Sequence, residues 1–546
     1  MKQLFVIFLL SFLVFGCNSK SSEVIKKTTE AQPFVWEAAN VYFMLTDRFY
    51  NGNTKNDLNY DRTKEPAKLR GFMGGDMAGI TKKIKEGYFD DLGVNAIWFS
   101  PVLEQIHDST DEGTGNTYAF HGYWTKDWTQ FDANFGTEAD FKELIETAHK
   151  HGIRILMDVV LNHTGPVTEK DPVWDNTWVR TEPSCKFKSY DSSVNCTLVK
   201  NLPDVLTNSN ESVALPAPLV EKWKAEGRYE EEMKELDNFF QKTGLTKNPK
   251  NYIIKWLTDY VREYGVDGYR VDTVKHVEES VWDELNKYAQ IAFADWKKAN
   301  PETVLDDKDF FMLGELYGYS IDHKRFYNFG DQKVDYFANG FDNLINFQFK
   351  YDAKKDYESI FSKYDNILHN DLKGKSVMNY ISSHDDGNPF DKARTKPYES
   401  ATKLLLTPGI SQIYYGDETK RPLIIEGTNG DATLRSFMNW DKMNDTDTKA
   451  LLLHWQKLGQ FRKAHPAIGA GRHTMLSKSP YTFSRTYNND TVVVALDVAK
   501  GKKQISVGKQ FTDGTTITDH YSGKTATVEN GKVTIDSEFS IVLLHE

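Results

Sequence analysis

The sequence is poor in three things. It has only 3 cysteines in 546 residues, no basic run, and no long apolar run beyond the first 16 positions. Lys and Arg total 67 against 78 Asp and Glu, a net charge of −11, so a nucleic-acid partner is excluded as the basis of function. A single apolar stretch excludes a polytopic membrane protein. No internal repeat and no low-complexity tract are present, which excludes a solenoid or propeller. What is there is globular: 39% hydrophobic and 27% charged residues, in a chain long enough for two or three domains. The 12 Trp, 27 Tyr and 33 Phe suffice for a core and for stacking surfaces that suit flat ligands.

The apolar stretch follows Lys2 and ends at Cys17. It is short for a membrane span and right for the core of a signal peptide. Leu-Val-Phe-Gly-Cys resembles a bacterial lipobox, which implies a signal over 1–16, lipidation of Cys17 and a lipid anchor to the membrane; an ordinary signal peptide cut nearby is the alternative. Asn18, rather than an aspartate, follows Cys17 and suits the outer membrane, on its periplasmic or cell-surface face. Residues 17–34 read as a flexible polar tether. Cys185 and Cys196 stand 11 positions apart, close enough in an exported chain for a disulfide, though two free thiols fit the spacing as well. With Cys17 lipidated, no cysteine is left for a metal cluster or a catalytic thiol.

From Val35 onward, short apolar runs alternate with helical periodicity. Eight runs read as strands: 41–46, 96–100, 155–160, 268–272, 311–315, 341–347, 377–382 and 412–416. Helical segments such as 138–151 and 252–264 separate most of them, which predicts an α/β fold with a closed (β/α)₈ TIM barrel. The third and fourth strands are too far apart for a loop. The barrel is therefore expected in two parts, 35–163 and 251–464, around an inserted domain at 164–250. Within the insertion, 219–243 reads as one charged, solvated helix. After 464, alternating segments at 481–487, 491–497 and 539–544 with Asn-Asp, Lys-Gly and Asn-Gly breaks predict a C-terminal antiparallel β-sandwich domain, 465–546.

Catalytic residues of such barrels sit at the C-terminal strand ends. Asp158, Asn162 and His163 end the third strand, Arg270, Asp272, Lys275 and His276 the fourth, Glu315 the fifth, and His384 and Asp385 the seventh. Asp272, Glu315 and Asp385 then converge on one mouth. Three carboxylates there suit cleavage of a glycosidic bond. The leaving oxygen needs a proton, and the sugar carbon, which gains positive charge, needs an anion or nucleophile. Arg270 lies two residues before Asp272, on the same strand face, and would keep it ionised. Asp158 is placed to anchor Arg270.

At these residues the chain resembles the α-amylase family of glycoside hydrolases. The segments are AFHGYWTKD (119–127), DVVLNH (158–163), LPD (202–204), GYRVDTVKH (268–276), GEL (314–316) and SSHD (382–385), in family order, and the similarity runs from about Val35 to Trp440. The resemblance implies Asp272 as nucleophile, Glu315 as general acid/base and Asp385 as transition-state stabiliser of a retaining reaction on α-1,4-glucosidic bonds of starch-like polymers or maltooligosaccharides. It implies substrate contacts from His121, Tyr123, Trp124, His163, Arg270, Lys275, His276 and His384. For Trp124, packing beneath the loop is the equal alternative.

The resemblance also implies calcium, a hard cation that prefers oxygen ligands. One site would use Asn162 and Asp204 with the His276 backbone carbonyl, unless Asp204 only caps a turn. A second would use Asn51, Asn53, Asn56, Asp57, Gly74 and Asp76, where Asn51 replaces an aspartate frequent in relatives and an Asn/Gly turn cluster is the alternative. Two segments depart from the family: 219–243 is a helical insertion, and SHDDGNPF (383–390) lacks the arginine common after the aspartate. Cyclomaltodextrinase or neopullulanase, α-glucosidase and glucan transglycosylase chemistry fit the same site. A non-catalytic glycan-binding relative fits less well, since all three carboxylates are present. Beyond the α-glucan, other components of a glycan uptake system are the expected partners.

Overall fold

The structure, a computed structural model, describes residues 32–546, so the signal, the lipidation at Cys17 and most of the tether reading lie outside the described residues. At the tether's end, Phe34 is half-buried under the Arg154 guanidinium, 3.8 Å from its ring centroid.

Eight parallel strands close a barrel: β1 (Asn40–Met44), β2 (Ala96–Phe99), β3 (Arg154–Val159), β4 (Gly268–Val271), β5 (Phe311–Gly314), β6 (Asn343–Asn346), β7 (Ser376–Tyr380) and β8 (Ile410–Tyr414), each hydrogen-bonded to its neighbours in chain order and β8 to β1. Their residues are buried throughout, because helices cover the outer face and side chains fill the interior; this is why the strands read as unbroken apolar runs. The helices between them carry the expected stop and start signals. Glu138–Lys150 opens on a capping box between Thr137 and Asp140, and Pro249–Tyr264 opens on an Asn248 cap and ends at Gly265 in the left-handed conformation.

The insertion after β3 contains a two-stranded pair, Val179–Arg180 with Asp204–Val205, and the disulfide Cys185–Cys196. The segment read as one solvated helix is two helices, Ala217–Ala225 and Tyr229–Thr243, separated at Gly227, whose φ is +76°. Nor is it only solvated. Leu219, Trp223, Leu236 and Phe240 are buried, with Trp223 set edge-on to Trp256 and Phe240 to Tyr252 of the barrel helix Pro249–Tyr264. The charges help hold it there: Asp127, fully buried, accepts from Lys222 Nζ (2.9 Å), Arg228 Nη2 (2.8 Å) and Trp223 Nε1 (3.2 Å). A buried carboxylate held this way by two cations is one whose ionised form is favoured, and its carboxyl sits below the ordinary value although burial alone would raise it.

The C-terminal region forms a six-stranded antiparallel sheet facing a second pair, Gly501–Ser506 with Lys532–Ser537. The strand Asp490–Leu496 alternates between two cores: Val493 and Ala495 face the sandwich, while Val492, Val494 and Leu496 join the barrel core. Among the described residues no helix is long and apolar enough to cross a membrane.

Candidate active site

The strand register sets the site. Arg270 on β4 stands opposite Asp158 on β3, and both are buried. Its Nη1 donates to Asp158 Oδ1 (3.0 Å) and Asp272 Oδ1 (2.8 Å), while Nη2 lies 3.5 Å from Glu315 Oε2. One guanidinium therefore binds three carboxylates. The other oxygen of Asp158 accepts from Trp98 Nε1 (2.8 Å) and Tyr123 Oη (2.9 Å). Asp158 is thus the anchor of Arg270 and of the Tyr123 ring.

Asp272 and Glu315 are the first residues past β4 and β5, so their side chains leave the packed barrel at its mouth. Glu315 Oε2 accepts from the Thr273 backbone N–H at 2.8 Å. Thr273 holds a φ of +50°, unusual for a β-branched residue and a backbone signal that sequence reading did not find. Asp385 lies farther out, with a third of its side chain open to the cleft (33%) and Ser383 Oγ donating to it at 3.1 Å.

These surroundings separate the acids. Burial, reinforced by the charges of Asp272 and Asp385 and only partly offset by Arg270, pushes the Glu315 carboxyl up to about 8. Enclosure in the cleft would raise Asp385 too, but His384, Arg270 and Arg435 together hold it below its ordinary value. Burial lowers His384 and His276 to about 4 and also lowers His121 and His163, so these imidazoles are neutral near pH 7.

The ring of Tyr123 stacks on His384 (5.4 Å between centroids) and on His121 (5.8 Å), and His163 Nε2 meets the Tyr123 carbonyl at 3.1 Å. Lys275 donates to the Tyr317 carbonyl (3.1 Å) and sits between the Tyr317 and Phe187 rings, both about half exposed. Two residues expected at the sugar are engaged elsewhere. Trp124 is 5% exposed and packs with Ile106, Ala119 and Leu202 under the loop. The His276 imidazole is buried and meets the Ser193 carbonyl at 2.8 Å. Residues that sequence reading missed also border the site. Arg435 Nε donates to the His384 carbonyl (2.9 Å), and a cavity of about 880 Å³ beside His121 is lined by Arg70, Glu112, Asp431 and Arg435. Past β6, Lys350 pairs with Asp386, next to Asp385.

The donor set at the junction of barrel and insertion is oxygen-rich. The Asn162 amide oxygen faces Asp204 Oδ1 (3.2 Å) and the His276 carbonyl oxygen (2.9 Å) with no hydrogen between them; turning the amide over would give hydrogen bonds instead. Arg180 Nε already pairs with the other oxygen of Asp204 at 2.8 Å. Among the described residues no group of three or more His, Cys, Asp or Glu side chains is arranged around a metal, and this triad, two side chains and a carbonyl, is a different kind of set. In the first loop, Asp76 caps the helix Met77–Lys85 and accepts from the backbone N–H groups of Gly52, Asn53 and Gly79, while Asn51 donates to Asp57 at 2.8 Å. The side-chain amide oxygens of Asn51 and Asn56 are buried there without a donor, which a cation would suit.

The family model "Alpha amylase, catalytic domain" matches residues 43–470. The "Periplasmic alpha-amylase" of Escherichia coli (strain K12) is 37% identical over 530 residues, covering 86% of this chain and 73% of that protein. The "Cyclomaltodextrin glucanotransferase" of Thermoanaerobacterium thermosulfurigenes is 27% identical over 516 residues, covering 91% of this chain and 64% of that protein. Among solved structures, an Anoxybacillus α-amylase superposes with a TM-score of 0.64 at 25% identity, over 94% of this chain and 99% of the other. With the barrel, the arginine-bound carboxylates and these matches together, the chain belongs to the α-amylase family of glycoside hydrolases.

Proposed function

We propose that this protein is an α-glucan hydrolase that cleaves α-1,4-glucosidic bonds with retention. The observation that carries the reading is the pair of carboxyls on one guanidinium: Asp272 accepts from Arg270 at 2.8 Å, whereas Glu315 lies 3.5 Å from it and its carboxyl is pushed up to about 8. Glu315 gives its proton to the leaving oxygen as Asp272 attacks the sugar carbon and forms a glycosyl ester; Glu315 then takes a proton from water, which hydrolyses the ester. Asp385 faces the developing positive charge from the open side. The neutral His121 and His384 hydrogen-bond sugar hydroxyls without adding a cation beside an oxocarbenium-like centre, while His163, bonded to Asn162 and to the Tyr123 carbonyl, positions the Tyr123 loop. Tyr123 supplies the flat face beneath the ring.

Calcium belongs to the same proposal, with Asn162, Asp204 and the His276 carbonyl as ligands at the junction and Asn51, Asn53, Asn56, Asp57, Gly74 and Asp76 at the first loop. When bound, the ion would be shared by Asn162 at the end of the barrel strand and Asp204 on the insertion, and so hold the insertion against the barrel. The chain would divide at 163/164, 250/251 and 464/465. Export is supported by the periplasmic relative, and lipid anchoring through Cys17 at the outer membrane, with uptake components as partners, by the N-terminal motif alone.

Products decide between this reading and its neighbours. With amylose, pullulan and cyclodextrin followed over time, early mid-length maltooligosaccharides from amylose are expected. Faster attack on pullulan or cyclodextrin, or early glucose, would replace amylase action by cyclomaltodextrinase, neopullulanase or α-glucosidase action. Cyclic or lengthened products would replace hydrolysis by transfer, the activity named in the glucanotransferase relative.

A further inference from the structure

The three carboxylates at the mouth are not held alike. Asp272 and Glu315 are fixed by Arg270 Nη1 and by the Thr273 N–H, at 2.8 Å each. Asp385 accepts from Ser383 Oγ at 3.1 Å and, among the described residues, from no other group. Its aim is therefore set by its backbone. On the N-terminal side that backbone is tied down: Ser382 Oγ donates to Asp417 Oδ1 (2.6 Å) and Arg435 Nε to the His384 carbonyl (2.9 Å). On the other side the chain is exposed at Asp385, Gly387 and Asn388, and a Cβ built on Gly387 would meet nothing within 4 Å.

Asp386 holds that side. Its Oδ1 accepts from the Asn388 N–H (3.0 Å), while its Oδ2 accepts from Tyr380 Oη (2.6 Å) and pairs with Lys350 Nζ. Tyr380 is the last residue of β7, and Lys350 stands in the short helix Phe349–Asp352 after β6. One carboxylate thus ties the turn after Asp385 to the ends of two barrel strands. Lys350 is buried, with its ammonium over the rings of Tyr351 (4.9 Å) and Tyr380 (5.7 Å). Among the described residues it has no second carboxylate at ion-pair distance, because the nearby Asp352 is taken by Lys355 (2.7 Å) and Lys363 (2.9 Å). Burying an ammonium costs several kcal/mol, and apolar residues of similar volume hold a fold together as well or better. What this pair adds is a fixed place for a carboxylate one peptide away from Asp385.

We propose that Lys350 is a positioning residue for the reaction: with Tyr380 it holds Asp386, and through the peptide joining Asp386 to Asp385 it keeps the Asp385 carboxylate facing the reacting sugar, given the role of Asp385 in the proposed function. Lys350 acts through Asp385 and not on the sugar.

Steady-state kinetics on an aryl α-maltotrioside tests it, with Lys350→Met, Lys350→Arg and Tyr380→Phe each made in the wild type and in Asp385→Asn. Lys350→Met should lower kcat about a hundredfold, the loss expected when a reacting group is misplaced, with KM changed by less than about threefold. Lys350→Arg, which keeps the charge, should recover about tenfold of that loss or more. Tyr380→Phe, which keeps the ring and removes one hydrogen bond to Asp386, should lower kcat about tenfold. In Asp385→Asn no carboxylate is left to aim, so each further substitution should lower kcat by less than about threefold. Unchanged kcat in Lys350→Met, or the same loss with and without Asp385, would overturn the proposal and leave the pair to the fold alone. Should Lys350→Met fail to fold, Tyr380→Phe in the two backgrounds decides by the same comparison. Full activity of Asp385→Asn would overturn the role of Asp385 and this proposal with it, whereas a crippled Asp385→Asn beside a fully active Lys350→Met would overturn this proposal alone.

Discussion

Glu315→Gln changes one proton and almost nothing in shape, so it isolates the effect of burying an acid. In the folded protein the carboxyl is pushed up to about 8 from an ordinary 4.5, chiefly by burial, with its side chain 9% exposed. Because the folded-state value is raised, the stability this group contributes is fully present below about pH 4.5 and is lost as pH rises toward 8. At about 1.4 kcal/mol for each tenfold, the ionised form is penalised by several kcal/mol, shared with Asp272 and Asp385, whose charges add to the effect of burial. Glutamine cannot ionise. Melting curves of wild type and Glu315→Gln should therefore coincide near pH 5 and diverge toward pH 9, with the variant more stable by a few degrees. Hydrolysis should fall by three orders of magnitude or so in the variant, while the wild-type rate should decline on the alkaline side as the acid loses its proton. A melting difference that stays constant from pH 5 to pH 9 would refute the reasoning, since it would place Glu315 in an environment that does not resist its charge.

Trp223→Ala should destabilise the fold by about 3–5 kcal/mol, read by denaturant unfolding, because it empties a fully buried site and removes a donor from Asp127. Its activity at low temperature should persist, since Trp223 lies on the insertion helices and not at the carboxylates. Chelation should lower the melting temperature and added calcium should restore it, because an ion held only by the folded oxygen triad stabilises that state; an unchanged curve after verified metal removal would count against the junction site.

The sequence made the barrel and its acids legible for one physical reason each. Parallel strands buried on both faces leave continuous apolar runs, and carboxylates at the ends of such runs have few structural uses. Boundaries were less legible: the sixth strand is Asn343–Asn346, shorter than the aromatic-flanked run 341–347 suggests, because polar Asn closes it at both ends. The packed face of the insertion is hard to read in the sequence because its buried stripe is narrow. Leu236 and Phe240 lie one turn apart among Glu230, Glu231, Glu232 and Lys234, and composition there hides the face that packs. Trp124 shows the limit of adjacency: it follows Tyr123 by one residue yet is buried in a separate apolar cluster. Asp127 ends the segment 119–127 that holds His121 and Tyr123, but its partners Lys222 and Arg228 lie about 100 residues away, a separation that local pattern does not encode.

The central claim is that Asp272 forms a glycosyl ester. The direct measurement is intact-protein and peptide mass after treating Glu315→Gln with an α-glucosyl fluoride, whose leaving group needs no acid, so that ester formation proceeds while its hydrolysis is slowed. The account predicts one glucosyl unit on the peptide that holds Asp272 and none on Glu315→Gln carrying Asp272→Asn as well. An adduct on another residue, or turnover in which the released sugar has the inverted configuration, would contradict it.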